Sequence, residues 1–296
     1  MQRSMTTTRK GVGAIVLACM IWGFVPLYYK LLAHVPPIEV LSHRTLWSFL
    51  FFAAVLAWGK RLSEVRAALL CKSDLVFLAG SASLIALNWF FFIYAVQTDQ
   101  TTEASLGYFI MPLVSVGFGV LIFRETLSKM SWLAVALAGV AVVVLTYGVG
   151  QLPWIALILS TSFSLYAVIK KRLSVAPMVS VTVEVLLLVP VALLVMGSFH
   201  MEQQGAFGMD VKTTLLLMLS GPLTALPLIL FSYGTQTVAL STAGILQYIN
   251  PSLQFVCATI IFAEPLSQWH FVSFPLIWCA LVLYSLSGFY ENRLSK

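Results

Sequence analysis

Charge is what this sequence has least of. Only 9% of its 296 residues are Asp, Glu, Lys or Arg, while 60% are hydrophobic and the mean hydropathy is +0.95. A soluble chain of this size could not cover its surface with so few charges, so lipid is the solvent that most of it requires. Cysteine is scarce too. Cys19, Cys71, Cys257 and Cys279 are far apart and form no C-x-x-C, which argues against a disulfide framework or a zinc site and leaves them as small packing residues. No Walker A, H-E-x-x-H or G-x-S-x-G pattern occurs. No cofactor or metal is therefore expected, and the chain reads as a non-enzyme. Regularly alternating short segments, which a membrane barrel would need, are also missing.

What remains is a series of long apolar runs. A helix needs about 20 residues to cross a hydrocarbon core of about 30 Å. Ten segments qualify: 12–32, 38–58, 74–96, 103–123, 131–147, 153–170, 177–197, 212–233, 241–263 and 269–289. The first follows a basic start but is too long for a signal h-region and is read as a retained helix. Trp58, Trp132, Trp154 and Trp269 fall at span ends, where interfacial belts favour them. Several spans carry mid-helix prolines, and the pair Pro222 and Pro227 makes the eighth span the expected site of a break.

The few cations sort by side. With the N-terminus in the cytoplasm, 14 of the 17 Lys and Arg residues fall on the inner face, in groups around residues 3–10, 60–72, 124–129, 170–172 and 293–296. Lys30 and Lys212 fall outside, and Arg44 lies within a span. This asymmetry predicts a multi-pass protein of the bacterial inner membrane with both termini cytoplasmic. Basic residues clustered at span ends serve topology and do not indicate nucleic acid.

The chain also repeats itself at an offset of 139 residues. "FIYAVQTDQTTEASLGYFIMP" (92–112) parallels "FSYGTQTVALSTAGILQYINP" (231–251), and "IFRETLS" (122–128) parallels "IFAEPLS" (261–267). Shared apolar composition would not align Tyr, Gln, Pro and Glu together. Five spans per half is an odd number, so the second half begins on the opposite side of the membrane. The expected organisation is an all-α membrane protein of ten transmembrane helices in two inverted five-helix repeats, residues 1–150 and 151–296. Secondary transporters are commonly built this way.

Together with those repeats, the blocks "SHRTLWSF" (42–49), "NWFFFIYAV" (88–96), "EASLGYFIMPL" (103–113) and "QYINPSL" (247–253) resemble the EamA family of the drug/metabolite transporter superfamily, and within it the RarD-type permeases. The resemblance covers essentially the whole chain and implies a ten-helix inner-membrane permease exporting small metabolites or drugs. Small multidrug relatives carry an essential acid in their first helix. Here residues 12–32 contain none, so that exchange mechanism does not transfer.

Ionisable residues inside spans are costly and point to function. Arg44 lies about 9 Å deep from the outer start of the second span, at the usual helical rise. It could snorkel to the headgroups along its stem; the expectation is that it faces a water-filled cavity and orients a solute. Its counterpart in the other half is Glu184, since "KLLAHVPPIEVLSHR" (30–44) aligns with "KKRLSVAPMVSVTVE" (170–184). The two are expected to share an aqueous cavity rather than a salt bridge. Glu184 and Glu103 are the proton-coupling candidates, with helix capping the plainer role for Glu103. Glu125 and Glu264 end equivalent spans on opposite faces and read as solvated helix-end residues, with a gating role as the alternative. His43 points about 100° from Arg44 and reads as a packing or helix-contact residue ahead of a proton relay. Trp22, Asn88, Trp89, Tyr94, Tyr108, Gln247, Tyr248 and Asn250 are too polar to face lipid all round; with Gln254 sharing a face of the ninth span, they are the candidate cavity lining.

These residues point to a secondary transporter for small amphiphilic metabolites such as amino acids, with drugs as further candidates. Its partners would be the solute, the bilayer and protons as coupling ion. An intramembrane lipid-acting enzyme would need a nucleophile or metal cluster near one interface. A non-transporting scaffold would have no use for polar faces on spans three, four and nine.

Overall fold

The computed structural model describes residues 2–124, 127–235, 237–238 and 240–294; among them regular structure is entirely helical. Twelve α-helices follow in order: α1 Gln2–Leu31, α2 Pro37–Trp58, α3 Leu62–Leu70, α4 Lys72–Gln97, α5 Thr101–Phe123, α6 Lys129–Val149, α7 Trp154–Arg172, α8 Pro177–Met201, α9 Val211–Thr235, α10 Leu240–Leu246, α11 Ile249–Val256 and α12 His270–Leu294. Nine of these described helices are long and apolar enough to cross a bilayer, all except α3, α10 and α11. Only 22% to 44% of each such apolar window is buried inside the protein, so most of each span is left to face lipid. This is an all-α multi-pass membrane protein.

Local chemistry sets the helix ends. Pro37 and Pro177 open α2 and α8 at first-turn positions that need no N–H donor. Ser128 Oγ accepts from the Ser131 N–H at 3.2 Å to cap α6, and Gly150 at φ 76° closes it. Helix α3 was not expected, because its stretch counted only as a basic loop. Its Val65 and Ala68 are buried against α8, while Arg61 pairs with Glu64 in solvent at 2.6 Å.

Two expectations about helix continuity fail together. Helix α9 runs unbroken through Pro222 and Pro227. Near Pro222, Tyr28 OH donates to Leu216 O at 2.7 Å, Ser220 Oγ to Leu217 O at 2.5 Å and Thr224 Oγ1 to Ser220 O at 2.9 Å, which adds side-chain hydrogen bonds to the turns on either side of that proline. The break lies instead in the ninth segment, expected as one span over 241–263. It is divided into α10, a turn at Gln247–Tyr248, α11 and a π-helical turn at Cys257–Ile261. Pro251 lacks the N–H that would bond the Gln247 carbonyl four residues earlier, and the chain unwinds at that residue.

The strongest helix pairs are α5 with α7, α2 with α8, α6 with α12, α1 with α9, α2 with α9, and α4 with α7. Lipid tails are as apolar as leucine, so hydrophobicity does not hold spans together; close backbone contact does. A Cβ on Gly221 would meet the Trp47 backbone at 2.5 Å, and one on Gly107 the Ala156 backbone at 2.9 Å. Both positions admit only glycine without moving a helix.

Candidate solute-binding site

Arg44 lies on the buried face of α2 with 8% of its surface exposed. Its guanidinium carbon is 4.1 Å from the Trp89 ring centroid, its Nη1 donates to Tyr29 OH at 2.8 Å, and its Nε is buried with no hydrogen-bond partner. Among the described residues no carboxylate is paired with it. The head group therefore packs inward on aromatic rings from α1 and α4 rather than running along its stem to an interface.

An aromatic wall continues from this point. Tyr29 meets Phe92 edge-on at 6.0 Å, Phe92 meets Tyr108 at 5.7 Å, and Tyr108 lies within electrostatic reach of Arg44. Tyr108 OH donates to Asn88 Oδ1 at 3.0 Å, while Asn88 Nδ2 donates to Leu159 O at 2.9 Å and Ser162 Oγ at 3.1 Å. Asn88 thus joins α4 to α5 and α7. Arg44, Asn88, Trp89 and Tyr108 come together as the sequence suggested. Tyr29 was missed, although the adjacent "YYK" placed a polar aromatic at that end of α1.

Among the described residues the other candidates make no hydrogen bond or ring contact with Arg44, although Tyr94 packs against the same apolar cluster as Tyr108. Tyr94 packs with Phe90, Phe91 and Trp154, and Trp22 packs with Phe231 at 5.7 Å. Tyr248 is packed against the apolar cluster formed by α5, α6 and α12. Gln247 sits in the unwound turn, so it does not continue a helical face with Asn250 and Gln254; Gln254 Nε2 donates instead to Asn250 Oδ1 at 2.9 Å. Two apolar clefts flank α9, one of about 300 Å³ including Phe24 and Tyr28 and one of about 390 Å³ including Trp47 and Pro222, and neither is lined by Arg44.

Among the described residues, the candidate carboxylates Glu184, Glu103 and Glu264 each face hydrogen-bond donors. Glu184 is 1% exposed; its Oε1 accepts from Ser81 Oγ at 2.7 Å, Lys170 Nζ at 2.8 Å and Ser180 Oγ at 3.1 Å, and its Oε2 from Tyr166 OH at 3.1 Å. Its partner is thus Lys170, not Arg44. Glu103, in the first turn of α5, turns toward the Ile155 and Ala156 N–H groups that open α7, while its Oε2 has no partner. Glu264 is not solvated as expected but 7% exposed: its Oε1 accepts from the Thr101 N–H, and its Oε2 from the Thr102 N–H and Oγ1, each at 2.7 Å. It caps α5 from across the protein. Glu125 lies outside the described residues. His43 packs as expected, stacked on Phe207 at 4.8 Å. Among the described residues no three His, Cys, Asp or Glu side chains come together as a metal-ligand set.

The chain matches the EamA-like transporter family over residues 9–147. It is 38% identical over 294 residues to the uncharacterized transporter YojE of Bacillus subtilis, covering 98% of both chains. The chain belongs to the EamA-like transporter family. Within this family it is also 38% identical to protein RarD of Salmonella typhi, over 97% of this chain and 98% of that one. A solved crystal structure shares the fold at a TM-score of 0.61 and 20% identity, covering 95% of this chain and 96% of the other. The Arg44 cluster is one charged, aromatic-walled place where α1, α2, α4 and α5 come together.

Proposed function

We propose that this EamA-like transporter is an inner-membrane permease that exports small amphiphilic metabolites, amino acids and related compounds first among them and drugs after, by alternating access between two inverted five-helix repeats. The observation that carries this reading is Arg44, a buried cation with no carboxylate paired to it, whose flat face rests on Trp89 and whose Nε has no partner. A solute carboxylate supplies the missing charge and accepts from the guanidinium fork, while its apolar body lies along Tyr29, Phe92 and Tyr108. Packing supports the two-repeat reading: α1 on α9 has its counterpart in α7 on α4, and α5 on α7 has its counterpart in α11 on α1. A discontinuous span such as that interrupted at Gln247–Tyr248 is a common feature of transporter cores.

Protons are the proposed coupling ion. Glu184 takes a proton when Lys170 withdraws from it, and Glu103, with one oxygen unpartnered, is the second acceptor. Radiolabel counterflow in proteoliposomes over a panel of amino acids and amphiphilic drugs tests the function. A transporter shows solute-dependent counterflow that empty liposomes lack, whereas a scaffold or a lipid-acting enzyme shows none. Glu184→Gln is expected to remove the part of the pH dependence that Glu184 carries while leaving exchange possible.

For topology, both termini and the segments around Arg66 and Lys171 are assigned to the cytoplasm. Cysteines placed by His34→Cys, Thr98→Cys or Gln204→Cys, with the exposed Cys71 and Cys279 replaced by serine, should react with an impermeant maleimide in intact cells. Arg66→Cys and Lys171→Cys should react only after lysis. The reverse pattern inverts the assignment.

A further inference from the structure

We propose that Glu39 and His43 form a proton-binding site closed by the loop over residues 202–210, so that loop closure and proton uptake are one coupled event. The inference rests on the transport reading only for its purpose, since the site is built from contacts independent of Arg44. Glu39 and His43 sit one helical turn apart on α2, each 1% exposed, with His43 Nε2 4.0 Å from Glu39 Oε1. That spacing allows ion pairing yet is too long for a hydrogen bond. Each side chain also keeps a buried atom without a partner, Glu39 Oε2 and His43 Nδ1. Buried polar atoms normally find partners, so two orphans on adjacent titratable groups mark a place where a proton or water is accommodated.

The loop supplies the cover. The Ala206 N–H donates to Glu39 Oε1 at 2.8 Å, and the next N–H, of Phe207, turns toward the same carboxylate without reaching hydrogen-bond geometry. The Phe207 ring stacks on His43 at 4.8 Å with an interplanar angle of 21°, and lies 6.3 Å from the Trp47 ring. Beyond these contacts the loop turns at Gly208, with φ +87°, whose N–H donates to Thr214 Oγ1 at 2.9 Å. Asp210 Oδ1 accepts from the Thr213 N–H at 2.8 Å and fixes the start of α9. Lifting residues 203–208 thus removes one hydrogen bond and one ring stack from the pair while leaving α9 anchored.

The neighbouring titratable groups are Arg44 on the same helix, His34 (bonded to Thr213), His200 and Glu202 at the end of α8, and Asp210 and Lys212 at the start of α9. Among the described residues none of these is ion-paired with Glu39 or His43. Under the closed loop a net charge on the pair is disfavoured, because water is excluded and no other ion neutralises it. One shared proton makes the pair neutral overall, either as carboxylate and imidazolium or as carboxylic acid and imidazole. Loss of that proton leaves a bare buried anion. The closed loop therefore binds one proton more tightly than the open loop, and by linkage removing the proton favours opening.

Hydrogen–deuterium exchange of the full chain in lipid nanodiscs tests this. After correction for intrinsic exchange rates, protection of amides 203–209 is expected to fall more than tenfold between pH 6 and pH 9. Glu39→Gln keeps an acceptor for Ala206 but cannot share the proton, and should flatten that change to less than twofold. Glu39→Ala removes the carboxyl altogether, should do the same and serves as the second variant if the first does not fold. A pH-independent wild-type loop, or a variant that retains the wild-type response, overturns the site whatever the counterflow result. Absence of counterflow together with the expected pH response removes the transport reading and leaves the site standing.

Discussion

Arg44→Ala is expected to lower solute affinity in counterflow by more than about 100-fold, and Arg44→Lys by about 10- to 100-fold, since a hydrogen bond to a charged group contributes about 1.5–3 kcal/mol. The lysine variant is the sharper test. It keeps the charge but replaces a flat, forked donor with a point ammonium, so it can neither stack on Trp89 with the same face nor present two parallel donors to a carboxylate. The guanidinium sits 4.1 Å from that ring, so the stack and the fork are set by a single orientation. If Arg44→Ala reconstitutes with wild-type counterflow, the residue is a packing cation and the solute binds elsewhere.

The second large effect concerns stability and is asymmetric. Lys170→Met should destabilise the protein by about 3 kcal/mol, toward the lower end for breaking a buried ion pair, and clearly more than Glu184→Gln. The reason is exposure: the Glu184 side chain is 2% exposed and that of Lys170 is 21% exposed. Removing the lysine strands a carboxylate that cannot reach water, although Ser81, Ser180 and Tyr166 still donate to it. Removing the carboxylate charge leaves an ammonium close to solvent and an amide that still accepts. Thermal unfolding in matched nanodiscs should rank the two variants in that order. Equal losses would mean that Lys170 contributes no more than any surface charge.

Hydropathy and the placement of Lys and Arg locate the spans because lipid gives the backbone few alternatives to helix. The break in the ninth segment was not legible, since Pro222, Pro227 and Pro251 look alike in sequence. They differ in what surrounds them: hydroxyls of Tyr28, Ser220 and Thr224 bond carbonyls close to Pro222, whereas the turn before Pro251 tightens, with the Tyr248 N–H on Ile245 O and the Asn250 N–H on Gln247 O, each at 3.1 Å. Helix α3 escaped notice because nine residues with two charges fail any test for a span. Arg44 stood out as a rare charge at depth, and its aromatic neighbours on α4 could be guessed. Its link to Tyr29 depends on where packing places α1 relative to α2, which local pattern does not carry. Lys170 was read as a topology signal at a span end. Its long stem lets it fold back across the α7–α8 hairpin to Glu184, and only the packed structure shows that reach.

The cap that Glu264 places on α5 also has a consequence in time. The N–H groups of Thr101 and Thr102 receive their acceptor from a residue 163 and 162 positions later. At synthesis rates of about 5–20 residues per second, that partner leaves the ribosome roughly 8–30 s after the helix it completes. Through that interval the start of α5 carries unmatched donors while four further spans are being inserted. A nascent chain stalled or truncated before residue 264 would expose an incomplete helix end within the membrane. It would differ from the finished protein at one specific place that a membrane protease or chaperone could recognise.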